Sequence, residues 1–198
     1  MTALWKKGAK QAYYGYVANL LVGLLGGAIV SLMSLASAAS TLTGNVEGML
    51  GAAAISIVIG LIGIAATVFY LIGVNSMKKA AANTALATGT SRLFLGAILS
   101  ICGSILALIP MIGIVGSLVA LVAFIITWTG YSQIKNNAAD ANAQLGGAKL
   151  SSSALLSVIS AIVAFIPMIG WVASLVLDII ALVFAIQGWK ALANSELE

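Results

Sequence analysis

Few side chains in this 198-residue sequence could do chemistry, and the most conspicuous is one carboxylate, Asp178, inside the apolar run 171–187. It lies eleven residues past Pro167, roughly 16 Å along a helix at the standard rise, which is near mid-membrane for a bilayer-spanning segment. An acid at that depth costs about 2.5–3.5 kcal/mol on insertion scales and is a functional candidate by default. Three roles fit it. It could clasp helices or subunits by bonding hydroxyls such as Ser157 or Ser160, it could contact a partner protein or cofactor, or it could be a proton- or cation-coupling site. Replacement by Asn separates the first from the last, because an amide preserves a clasp and abolishes proton coupling.

The remaining intramembrane polar candidates are Ser157, Ser160, Ser100 and Asn19. They belong to small-residue stripes of period four: Asn19, Gly23, Gly27 and Ser31; Gly96, Ser100 and Ser104; Ser153, Ser157 and Ala161; and the beginning of one at Ser56 and Gly60. Such stripes either line a solute path or let helices touch closely, each hydroxyl then bonding the carbonyl one turn back; close contact is the commoner use. Histidine is absent, which removes imidazole acid–base chemistry and imidazole metal ligation. Cys102, the one cysteine, has no partner base and reads as a small apolar filler. No carboxylate pair and no phosphate-cradling glycine loop occurs. Catalysis, a metal site and a cofactor are therefore not expected.

The elements that must position these groups are helices in a bilayer. Hydrophobic residues make up 62% of the sequence and charged residues 7%, against roughly 25% charged in a soluble domain. The expected fold is an all-α integral membrane protein of six transmembrane helices. The spans run over approximately 17–39, 49–74, 93–108, 110–131, 152–165 and 167–189. The first is longer than the ~7–15-residue apolar region of a signal peptide, despite a basic start and an Ala36-Ser37-Ala38 sequence.

The two prolines, Pro110 and Pro167, each sit in the sequence Ile-Pro-Met-Ile-Gly, 57 positions apart. Proline ends the helix before it and suits the first turn of the next, so each motif predicts a tight hairpin. Gly113 and Gly170 then allow close backbone approach just inside the second helix. At the same offset, residues 92–119 and 149–176 are identical at fifteen of twenty-eight positions. This predicts one membrane domain, 1–198, of three pseudo-repeated helical hairpins at approximately 13–74, 93–131 and 151–189, the first copy most diverged. Cytoplasmic connections fall at 75–92 and 132–150. The second and fourth helices are expected to run into these connections and stop at Gly89 and Gly146–Gly147 in left-handed caps, with Thr90 or Ser91, and Ser151 or Ser152, capping the helices that follow. Ser40–Gly48 is expected as a polar loop.

All nine Lys and Arg residues lie in the N-terminal segment, the two connections or the tail. The positive-inside rule then places both termini in the cytoplasm, in a cytoplasmic (inner or plasma) membrane. Tyr13, Tyr14, Tyr16, Tyr70, Trp128, Tyr131 and Trp189 are expected as the inner aromatic band, and Trp171 as the outer edge. The net charge of +4 carries no basic patch with interleaved aromatics, so no nucleic-acid partner is implied. Two functions follow. One is a non-catalytic accessory or structural subunit, packed with other membrane proteins or with copies of itself. The other is a small transporter or channel with Asp178 as its intramembrane site.

Overall fold

The computed structural model describes residues 2–43, 46–107, 109, 112–163, 166 and 170–197. They form six helices: α1 (Thr2–Thr43), α2 (Val46–Ala80), α3 (Ala87–Ala107), α4 (Gly113–Asn137), α5 (Ala141–Val163) and α6 (Gly170–Asn194). Five stretches are long and apolar enough to cross a membrane: Ile57–Ala80, Ala87–Ala107, Gly113–Asn137, Ala141–Val163 and Val172–Asn194. Their exposed residues include Ile114 at 78% and Ile162 at 64%, an apolar surface suited to lipid rather than water. The chain is thus a helical protein of the membrane-spanning kind.

Within each hairpin the helices meet on small residues seven apart. Gly89, Gly96 and Gly103 of α3 face Gly130, Ala123 and Gly116 of α4; a Cβ added to any of the three α3 glycines would lie 3.1 Å from the carbonyl oxygen opposite. The α5–α6 seam begins likewise at Gly146 and Gly188. Where α3 has Gly96 and Gly103, α5 has Ser153 and Ser160, and their hydroxyls donate across the seam to the carbonyls of Ala181 (2.7 Å) and Ser174 (3.0 Å). In the first hairpin, Gly8 crosses Gly73. Lipid offers no hydrophobic gain for helix contact, so close backbone approach and a few hydrogen bonds supply the attraction. A seven-residue interval keeps the seam on one face with a slight supercoil.

These glycines correct the expected helix ends. Gly89, Gly146 and Gly147 stop nothing; they lie inside α3 and α5, where a neighbouring backbone passes within contact distance. The connections shrink to 81–86 and 138–140. Asp140 caps α5 instead, and Thr84 shapes the turn that leads into α3. Thr84 Oγ1 accepts the Leu86 N–H (3.2 Å), and Asp140 Oδ1 accepts the Ala143 N–H (2.8 Å). Thr90 is buried in the first turn of α3 and donates back to Leu86, while Ser151 Oγ accepts the Trp128 indole N–H (2.9 Å). Ser40–Thr43, expected in a loop, continue α1. Pro110 and Pro167 lie outside the described residues. Around them α3 stops at Ala107 and α4 starts at Gly113; α5 stops at Val163 and α6 starts at Gly170. The Gly116 N–H donates to Ile112 and the Gly170 N–H to Ile166.

Among the described residues the six helices close into a ring in which each backbone comes close only to those of its two neighbours, α1 meeting α6 to complete it. The end that carries both termini and the basic residues is solid. Trp5, Met77, Leu93, Ile134, Leu150, Trp189 and Leu192 are fully buried there. The closure is latched by Trp5, whose indole N–H donates to Ser195 Oγ (2.8 Å) and the Leu192 carbonyl (3.2 Å), beside an exposed Lys6–Glu196 ion pair of 3.1 Å.

Candidate functional site: a hollow ring above an aromatic floor

The backbones of opposite helices never approach within the described residues, so only side chains can fill the middle of the ring. Near the solid end four aromatics do so. The Trp189 ring centroid lies 5.7 Å from Tyr70 and 6.2 Å from Tyr131, both T-shaped, and 6.3 Å from Tyr16. The Tyr70 and Tyr131 hydroxyls meet at 3.4 Å. Tyr70, Tyr131 and Trp189 are buried. They are not the lipid-facing band expected from their positions; Tyr14, 60% exposed, does face outward. Three of the four aromatics follow a seam glycine directly, Gly15–Tyr16, Gly130–Tyr131 and Gly188–Trp189. That pairing of a seam glycine with an aromatic is the sequence signal for the floor.

Beyond the floor the ring is hollow. Three adjoining cavities of about 490, 310 and 450 Å³ share the inner face of α1. Tyr16 borders the first and second, Gly23 the first and third, and Asn19 the second and third. A Cβ at Gly23 would meet nothing within 4 Å. The α1 stripe therefore faces open space at Gly23 rather than another helix. Gly27, Ser31 and Ser56 carry side-chain positions outside those described.

The candidate residues divide between these spaces. Asp178 and Ser157 line the 490 Å³ cavity between α1, α5 and α6, together with Tyr16 and Ser174. Asn19 and Ser100 line the other two. Asn19 Nδ2 donates to Thr67 Oγ1 (2.9 Å), which donates to the Gly63 carbonyl (2.9 Å). Ser104 donates to the Ser100 carbonyl (2.9 Å). Ser160 stands apart, buried on the α5–α6 seam.

The clasp imagined between Asp178 and Ser157 or Ser160 is not formed. Ser157 donates to Ser153 (3.2 Å) and Ser160 to Ser174, both to backbone carbonyls. Among the described residues no hydrogen bond or ion pair reaches Asp178. Tyr16, Thr67, Thr127, Tyr70 and Tyr131 complete the polar walls; threonines scattered through apolar runs gave the sequence no reason to group them. Among the described residues no cluster of three or more metal-ligating side chains occurs. No family model, no curated protein and no solved structure matches the chain.

Proposed function

We propose that this is a non-catalytic six-span protein of the cytoplasmic membrane, both termini inside, whose hollow ring holds a small solute, with Asp178 as the intramembrane cation or proton site of a small transporter. One observation carries the reading. The polar inner stripe of α1 borders open space at Gly23, where a helix-contact stripe would be filled, and Asp178 opens into the same hollow. The gathering of all basic residues at the solid end supports the orientation. The equivalent glycine crossings, Gly8–Gly73, Gly89–Gly130 and Gly146–Gly188, support three repeats of one hairpin, and repeats are a common transporter plan. The aromatic floor closes one end, so passage requires the ring to rearrange, as a carrier does and an open pore does not.

A second reading is favoured by a different observation. Leu175 and Ile179, each 53% exposed, stand on the wall of the Asp178 cavity. A helix of another subunit, or of a second copy, could reach the carboxylate from that side.

The deciding experiment starts with the native mass after gentle extraction. A monomer that, reconstituted in vesicles, moves protons or a cation in a manner lost in Asp178→Asn supports transport. Co-purification at fixed stoichiometry with a larger membrane protein, and no flux from the isolated chain, supports the subunit reading instead.

A further inference from the structure

Resting on the reading of the hollow as a ligand site, we propose that the Asp178 cavity takes a lipophilic cation, an apolar body with one positive centre, that arrives sideways from the bilayer between α1 and α6. Its size, about 490 Å³, is that of a cavity for a drug-sized molecule. Its walls are mostly apolar, with Leu20, Leu175, Ile179 and Leu182 around the single carboxylate. No Lys or Arg lines it. A hydrated ion or a sugar would leave those leucines unused and would lack polar partners on most sides. An apolar anion would meet the carboxylate with like charge. A lipophilic cation matches both features: hydrocarbon against the leucines, positive charge against Asp178. The route is set by the cavity's position: it is walled by α1 and α6, with Leu175 and Ile179, each 53% exposed, beside Leu20 of α1. The α1–α6 joint is also the one place where neighbouring helices of the ring are not consecutive in the chain.

The test uses two ions of matched size and opposite charge, tetraphenylphosphonium and tetraphenylborate. Binding of each to the full chain in lipid nanodiscs is measured by titration calorimetry, with protein-free discs subtracted. Saturable binding of the phosphonium, and not of the borate, is expected. Asp178→Asn should weaken it about ten- to a hundredfold, the loss expected for a hydrogen-bonded or paired charge. Gly23→Leu supplies a steric test that leaves the carboxyl in place, since its side chain would grow into open space; it should block binding while the protein melts no lower than the parent. Equal binding of the two ions, or undiminished phosphonium binding by a folded Gly23→Leu or Asp178→Asn protein, would overturn the proposal. Absence of phosphonium binding would overturn it too, and Asp178-dependent proton flux in the same preparation would then show that the transporter reading survives alone. Binding without flux would uphold the cavity's ligand class and remove the transporter reading.

Discussion

Exchanging glycine for alanine should have opposite effects at two positions in the first hairpin. At Gly73 of α2, a new Cβ would abut the Ala12 backbone nitrogen and lie 2.7 Å from the Gly8 carbonyl oxygen and 2.8 Å from Ala12 Cα. All three are backbone atoms, so no rotamer change relieves the contact. Ordinary contact starts near 3.4 Å, so α1 and α2 must separate by roughly 1 Å at a seam held by close backbone approach. Overpacking costs about 1–3 kcal/mol, and backbone against backbone belongs at the upper end. Alanine's helix propensity returns about 1 kcal/mol, leaving a net loss near 2 kcal/mol. For a chain of this size that lowers Tm by roughly 4–8 °C. At Gly23 of α1 nothing lies within 4 Å, so only the propensity gain acts and Tm should rise by roughly 2–4 °C. Thermal unfolding in detergent, followed by helical circular dichroism, reads both. A stabilised Gly73→Ala protein would refute the close seam, and a destabilised Gly23→Ala protein would refute the open interior.

Further expectations follow from the hydrogen bonds. Ser153→Ala and Ser160→Ala each remove a bond to a facing α6 carbonyl. Interhelical bonds in membranes average about 0.6 kcal/mol, so each single change should lower unfolding stability by about that much, and the double by about their sum. Trp5→Phe, which keeps most of the packing and loses the bonds to Ser195 and Leu192, should cost about 1 kcal/mol. Trp5→Ala should cost about 3–5 kcal/mol and make the tail after Leu192 far more sensitive to protease. Glu196→Gln should leave Tm within about 2 °C, because the ion pair to Lys6 is solvent-exposed and such pairs contribute little.

The sequence displayed helix number and apolar class because composition and hydropathy act locally. The breaks between α3 and α4 and between α5 and α6 were legible near Pro110 and Pro167 for the same reason. Helix ends were not. A glycine can stop a helix or admit a neighbour, and Gly89 and Gly146 look the same in either role; the backbone across the seam decides, and that partner is distant in sequence. The stripes show the same limit. Gly96–Ser100–Ser104 and Ser153–Ser157–Ala161 each contain one seam residue, Gly96 or Ser153. Four residues on, Ser100 and Ser157 have turned off the seam onto cavity walls. A period of four drifts around a helix where a period of seven holds its face, so the seam was written at 89, 96 and 103. Asp178 was legible as an anomaly, since any charge in an apolar run is. Its surroundings were not, because its neighbours Tyr16 and Ser157 come from α1 and α5.

The solid end and the cavities beyond the floor have one physical cause. Outside hydrocarbon, apolar burial drives association, so the end rich in lysines can gather Trp5, Met77, Leu93 and Trp189 into a core. Inside hydrocarbon that drive is absent, and contact persists only where small residues bring backbones together. The chain supplies regular small-residue seams within α3–α4 and α5–α6, and glycine crossings within α1–α2. Between hairpins the contacts are sparser. Three pairs, tied at one end and more sparsely joined to one another along their length, leave a gap between them. Asp178 sits at the joint with no loop across it, α1 to α6. On the proposed function, a carboxyl at this joint, lining the cavity, meets a ligand without unpacking any seam, as a carrier requires.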